Sequence, residues 1–383
     1  MTRLAVLLFS LMLAACASPP PTAPTVTLLR DELFAPPAQP PLSADEIFAV
    51  SEPMKRYVDH DIAAQLRSRG PQKGLLDALY SKRQLRLEYD AERTRTASEA
   101  FEARAGNCLS LVIMTAALAK HLGMQVSFNN VYTDDTWTRN QDTYFASGHV
   151  NVTLGRRWLD SGARGTQPSW TIDFLPPEDR LGQRSREVGE ATIVAMFMNN
   201  RAAESLAIGE LNEAYAWARA AVLHEPAFLS AYNTLAVVYL RRGHTVEAER
   251  ALAHVLQHDP QSTIAMSNMV RVQGALGRPE VARELAARLA RIDPEPPFHF
   301  FELGQAAMRR GDYVAARQWF AKEVARAPYQ HEFHFWLAMA DYQLGDIASA
   351  RQQLDLALST STTRRNQQLY AAKLDHLKHL GLQ

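Results

Sequence analysis

Apolar residues along the chain follow two different rules. From about residue 191 onward they recur at helical spacing, in segments interrupted by a break that returns every 34 residues. Gly209, Gly243, Gly277, Gly311 and Gly345 mark the breaks, and Ala214, Ala248, Ala282, Ala316 and Ala350 each follow five residues later. Pro226, Pro260, Pro294 and Pro328 follow the first four glycines by 17. Glycine permits a tight turn between paired helices, alanine their close approach, and proline closes each unit. The fifth unit has Thr362 in place of proline, and the segment from Arg364 to Leu382 reads as a capping helix. The pattern predicts an all-α solenoid of about five helix pairs over residues 191–383.

Residues 43–190 read differently, as an α+β unit. Ser43-Ala44-Asp45-Glu46 and Thr96-Ala97-Ser98-Glu99 have the spacing of capping boxes and each predict a helix start. Helical segments are expected around Pro53 to Ser68 and Gly74 to Tyr80, parted by Gly70-Pro71. Leu85, Leu87 and Tyr89 alternate with charged residues, as in a half-buried strand. Gly106-Asn107 then forms a turn before a breaker-free apolar helix from Leu109 to Leu122, stopped by Gly123. A strand is expected from Val126 towards Tyr132, and a polar loop from Asp134 to Ser147. Along Gly148 to Leu154, Val150, Val152 and Leu154 share one face while His149, Asn151 and Thr153 share the other. Thr171-Ile172-Asp173-Phe174 alternates again before Pro176-Pro177 ends the strand. Neighbouring strands would then present His149 and Asp173 on the face that the apolar helix covers.

Candidate chemistry concentrates on that unit. Cys108 falls in the first turn of the apolar helix, where free N–H groups and the helix dipole favour a thiolate. A small apolar filler is the plain alternative. The chain has only two cysteines, Cys16 and Cys108. His149 has the right pKa range to take and return a proton, and a carboxylate behind it fixes the tautomer. Asp173 is the preferred carboxylate, with Asp160 in Trp158-Leu159-Asp160-Ser161-Gly162 as a competing acid. Trp137 is a candidate wall for the acyl site. His331-Glu332-Phe333-His334 lacks metalloprotease spacing, and His376 and His379 read as solvated helix residues, so no metal and no cofactor are expected.

The N-terminus opens with Arg3, an apolar run from Leu4 to Leu13, and Ala14-Ala15-Cys16. This resembles the lipobox of bacterial lipoprotein signal peptides: residues 1–15 would be the signal and Cys16 the lipidated residue. Residues 16–42, rich in proline, are expected to form an extended, semi-rigid tether, with local docking of Thr25 to Phe34 left open. With Cys16 lipidated, Cys108 is left as a lone thiol in an oxidising compartment. Lys+Arg and Asp+Glu are both 41, which offers no electrostatic footprint for nucleic acid. At 47% apolar content and 383 residues, two domains are expected.

The order of Cys108, His149 and Asp173 on a helix and two later strands resembles the transglutaminase-like superfamily of papain-type thiol enzymes. The residues carrying the likeness are Thr94-Arg95-Thr96-Ala97, Glu99-Ala100-Phe101, Gly106-Asn107-Cys108-Leu109-Ser110, His149-Val150-Asn151-Val152 and Ile172-Asp173-Phe174. Bacterial proteins that join such a domain to tetratricopeptide repeats resemble it more closely, and the 34-residue period resembles those repeats. The resemblance implies Cys108 as nucleophile, His149 as base and Asp173 as orienting acid, acting on peptide or side-chain amides through a thioester. Asn151 departs from the animal enzymes, which have an aspartate soon after the histidine. The repeats imply a protein or peptide partner in a concave groove, and the lipid anchor implies a membrane. Ala17, by resemblance to Gram-negative lipoproteins, implies the periplasmic face of the outer membrane. The competing reading is a non-catalytic scaffold lipoprotein of the cell envelope.

Overall fold

The computed structural model describes residues 27–80, 85, 87–90, 93–132, 137–140, 143–146, 149–157, 169–174, 184–328, 330–361 and 364–380. The signal peptide, Cys16, Asp160 and Pro176-Pro177 lie outside the described residues. Four short helices open the body: α1 (Ala44–Ile47), α2 (Glu52–Arg56), α3 (Ala63–Arg69) and α4 (Pro71–Tyr80), with a π-helical turn, Tyr57–Asp61, between α2 and α3. Both capping boxes form. Ser43 and Glu46 cap α1 reciprocally, and Thr96 and Glu99 do the same for α5 (Ala97–Ala103).

The strand expected around Leu85 is reduced to β1 (Glu88–Tyr89), paired in parallel with β2 (Ala105–Gly106). Helix α6 (Cys108–His121) follows, with every residue from Leu109 to Ala119 buried. A helix apolar on all sides must be enclosed. One flank of α6 meets a four-stranded antiparallel sheet ordered β7-β6-β3-β8, made of β3 (Met124–Tyr132), β6 (His149–Arg157), β7 (Trp170–Ile172) and β8 (Arg184–Val188). Another flank meets α7 (Glu190–Ala207), the first solenoid helix.

The loop expected from Asp134 to Ser147 is instead a hairpin of β4 (Trp137–Asn140) and β5 (Thr143–Ala146). Its sequence lacks apolar alternation because its support comes from outside the sheet. β5 lies against the solenoid helices α9 (Leu229–Arg242) and α11 (Thr263–Ala275).

The solenoid continues with α8 (Leu211–His224), α10 (Thr245–His258), α12 (Pro279–Ile292), α13 (His299–Arg309), α14 (Tyr313–Arg326), α15 (His331–Gln343), α16 (Ile347–Thr360) and α17 (Arg364–Leu380). Gly209, Gly243, Gly277, Gly311 and Gly345 all have positive φ, from 71° to 89°. Residues with a Cβ rarely take that conformation, which is why the turn keeps glycine at each period.

Three features of the organisation are set by packing. The boundary at 190 does not separate two cores. A single apolar cluster runs from Leu29 through the α+β body to Val272 in α11, and Ile193, Val194 and Phe197 of α7 sit inside it. The segment expected to be a free tether is docked from residue 28 on. Phe34 stacks on Tyr215 at 4.0 Å, nearly parallel, and the Arg242 guanidinium lies 5.8 Å from the centre of the Phe34 ring. Arg219 grips Asp31 through two hydrogen bonds of 2.7 and 3.0 Å, holding that carboxyl below its ordinary range. Tyr239 donates to the Leu28 carbonyl, and the Ala35 and Ala38 N–H groups donate to Asn212 and Glu213. Polyproline sequence does not prevent docking when aromatic and charged partners satisfy the backbone.

The third feature concerns the stack. Every successive pair of solenoid helices packs closely except α12 and α13. α12 buries none of its residues. Pro296-Pro297 delays the start of α13 to His299, and Phe298 takes a left-handed φ of 67°. A bulky residue holds such a backbone only when packing compels it, and Phe298 is anchored against Phe301 and Phe333. The repeats after the break have their own small clusters, one around Phe301 and Phe320, another around Leu354 and Leu374.

Candidate active site

Cys108 is the first residue of α6 and its thiol is half-buried. Asn107 caps the helix: its Oδ1 accepts from the Ser110 N–H at 2.9 Å and from the Ser110 hydroxyl at 2.7 Å. Its Nδ2 donates to Thr94 Oγ1 at 2.9 Å, and Ser110 Oγ accepts from the Arg95 N–H at 2.8 Å. The residues on either side of Cys108 are thus tied to the segment leading into α5. Gly106 is required by contact as well. A methyl group there would lie 2.7 Å from Ser110 Cβ, so only glycine lets β2 pass under the first turn of α6.

His149 opens β6 and is almost wholly buried. Its Nε2 donates to Asp173 Oδ1 at 2.8 Å, and its imidazole is hydrogen-bonded to the Cys108 side chain. Burial alone pushes the imidazole down. The hydrogen bonds to Asp173 and Cys108, with the charges behind them, outweigh it and raise the value to about 9. At neutral pH His149 is protonated and donates from both ring nitrogens.

The structure therefore brings Cys108, His149 and Asp173 together. It places His149 and Asp173 on the sheet face opposite the one expected. Val150, Val152, Leu154 and Ile172 fill the core beside α6, which by alternation leaves His149, Asn151 and Asp173 on the other face. Cys108 meets the histidine because it stands at the very end of its helix. Trp137 is in β4, and its side chain lies outside the described residues, as does all of Asp160.

Several residues that hold this site were given no role in it from sequence. Asn151 Nδ2 donates to Asp173 Oδ2 at 3.2 Å, and its Oδ1 accepts from Asn129 at 2.9 Å. The residue that departs from the animal pattern is the one that holds the acid. Alternation put Asn151 on the face of His149, which was the available signal. Tyr80 donates to the Asp173 carbonyl at 2.7 Å and stacks on Phe174. Glu204, on α7, accepts from the Thr94 N–H at 2.6 Å, and Asn200 donates to Thr94 Oγ1 at 3.2 Å. Burial raises the Glu204 carboxyl above its ordinary value, against the Thr94 hydrogen bonds that lower it. Nothing local in the sequence marks a contact 110 residues long.

Among the described residues, no group of three or more His, Cys, Asp or Glu is placed to hold a metal ion. His334 is buried and bonded to Gln353 and the Pro328 carbonyl, while His331 meets the Tyr370 hydroxyl. No helix among the described residues is long and apolar enough to cross a membrane.

With the helix pairs and their glycine turns in place, comparison with known proteins bears on the second half. Tetratricopeptide repeat family profiles match residues 239–299, and then 298–322 and 331–355. The C-terminal region is a tetratricopeptide-repeat solenoid. The two matches meet at the opening between α12 and α13. The chain is 27% identical over 152 residues to the TPR repeat-containing protein YvcD of Bacillus subtilis (strain 168), covering 39% of this chain and 31% of that protein. It thus spans under a third of that relative's length. Solved structures that resemble it include a thermophilic TPR protein of Thermus thermophilus, with a TM-score of 0.34, 18% identity and coverage of 47% of this chain and 98% of that one. Another is Pseudomonas aeruginosa pilF, with a TM-score of 0.32, 20% identity and coverage of 50% and 85%.

Proposed function

We propose that the chain is a transglutaminase-like thiol enzyme carried on a protein-binding tetratricopeptide solenoid. The observation that carries the reading is the buried relay from Asp173 through His149 to Cys108. In this reading the imidazolium already holds the thiol proton in an ion pair, and Sγ attacks the carbonyl carbon of a peptide or side-chain amide. The tetrahedral intermediate collapses as His149 returns the proton to the leaving amine, leaving a thioester on Cys108. Water or a second amine, deprotonated by His149, then releases the acyl group. Asp173 holds the ring and stabilises its charged form throughout.

Cys16 carries the lipid anchor in this proposal, at the periplasmic face of the outer membrane in a Gram-negative host. The chain is docked on the solenoid from residue 28 onward, a short stretch of sequence after Cys16. The enzyme thus works close to the membrane, on substrates that the repeats hold there. A non-catalytic adaptor is the second reading, favoured by the tetratricopeptide profile matches to residues 239–299, 298–322 and 331–355.

Alkylation of the full chain by iodoacetamide at pH 6 to 7 separates the two. His149→Ala is expected to slow modification of Cys108 at least about tenfold, and Asp173→Asn by a smaller factor in the same direction. An adaptor with a structural cysteine shows equal rates in all three proteins.

A further inference from the structure

We propose that Tyr89 supplies the second hydrogen-bond donor of an oxyanion site at Cys108, the first being the Cys108 backbone N–H; the assignment rests on the enzyme reading above. Tyr89 lies in β1, whose register places it opposite Gly106, two residues before the cysteine. That short strand is fixed on both sides. The Glu88 N–H donates to the Arg104 carbonyl at 2.9 Å, and the Asp90 N–H donates to the Gly106 carbonyl at 3.1 Å. Arg95 closes the arrangement with a 2.7 Å ion pair to Asp90.

Tyr89 is 45% exposed, and its phenol oxygen lies beside the Cys108 backbone N–H. Asn107 already satisfies the Ser110 N–H of the same first turn. The Cys108 N–H is one of the donors a helix start leaves over, and the phenol oxygen occupies it in the resting protein. Burial of the hydroxyl and the nearby Cys108 and Asp90 keep the phenol protonated well beyond its ordinary range.

When Sγ bonds to a carbonyl carbon, the carbonyl π electrons move onto oxygen, which comes within hydrogen-bond reach of the attacking residue's own N–H. The phenol then yields that N–H to the oxyanion and rotates its O–H to donate to the same oxygen. Its proton stays on tyrosine. On collapse the lone pair re-forms C=O, the leaving group departs with the proton from His149, and the phenol returns to the Cys108 N–H.

Two electrophiles applied to the full chain test this. p-Nitrophenyl acetate acylates a thiol through an oxyanion, whereas iodoacetamide alkylates it by direct displacement without one. Modification is read on the Cys108 peptide by mass spectrometry, with Cys108→Ser as background. Tyr89→Phe keeps the ring, and is expected to slow acylation about a hundredfold while changing alkylation by less than about twofold. An equal loss with both reagents would overturn the proposal and assign the phenol to the thiol itself. No loss with either, or faster acylation, overturns it too; faster acylation would make the phenol an obstruction. If the wild-type protein takes no acyl group at Cys108 while iodoacetamide rates ignore His149→Ala, the enzyme reading fails and this assignment falls with it.

Discussion

The repeats before and after the α12–α13 opening share a period of 34 residues yet do different structural work. The proximal ones, α7 to α11, belong to the core of the α+β body. Ile193 and Phe197 enter the same apolar cluster as α6 and the sheet, β5 rests on α9 and α11, and Glu204 reaches the segment that anchors Asn107. The N-terminal strap adds Leu29 and Phe34 to that cluster. The distal repeats bury their aromatic residues only among themselves, with Phe300 stacked on Trp319 and Lys322 over both rings. A repeat register specifies how a helix pair folds, and leaves open what it packs against. The proximal pairs therefore serve as part of the scaffold under Cys108, while the distal pairs pack into clusters of their own.

The largest effect expected from this contrast is in truncation. A chain ending after residue 189 loses α7, and with it Ile193, Val194 and Phe197, from the shared core. It is expected to show no cooperative unfolding and little folded circular dichroism. A chain ending after residue 295 loses only what α12 scarcely touches. It is expected to stay folded, with Cys108 alkylation within about twofold of the full chain. A folded short form or a collapsed long one would break the comparison.

Point substitutions sharpen it. Phe301→Ala empties the centre of the distal aromatic cluster, where Phe320, Phe333 and Trp336 converge. The expected loss is about 3–5 kcal/mol, confined to a distal transition in calorimetry, with alkylation of Cys108 unaltered. Phe34→Ala removes the ring stacked on Tyr215 and is expected to lower the proximal transition instead, by about 3 kcal/mol. Movement of both transitions by either variant would mean one cooperative unit.

The smallest effect is in pH. His149 has a folded value near 9, above the ordinary histidine range. Its contribution to proximal stability is therefore complete below about pH 6.5 and is lost as pH rises through about 9. In the proposed enzyme, amide turnover, which needs the imidazolium to protonate the leaving amine, is expected to fall over that same upper limb. NMR titration of the imidazole in the full chain reads the value directly, and a midpoint at about 6.5 or below would remove the ion pair from the site.

Much of the molecule was legible one segment at a time. The capping boxes at Ser43 and Thr96, the turn at Gly106-Asn107, the buried helix after Cys108 and the glycine period are short-range features. Each depends on hydrogen bonds or backbone angles within a few residues. Alternation along β6 and β7 likewise placed His149, Asn151 and Asp173 on one face, and so indicated which side chains would meet. The face assigned to α6 was the wrong one, because a strand's pattern marks an inside and an outside without naming the neighbour.

Tertiary packing decided what no window of sequence contains. The hairpin at 137–146 reads as polar loop because its support is the solenoid, more than 80 residues away in the chain. The strap at residues 28–38 has the composition of a free spacer, and is held by Tyr215, Arg219 and Tyr239. Asp173 owes its orientation to Asn151 and Tyr80, and the cap of the cysteine helix leans on Glu204. Period, caps and turns are local, and the chain alone determined them. The core shared by body and proximal repeats, and the opening beyond α12, arise from long-range burial, whose partners exist only once the chain has folded.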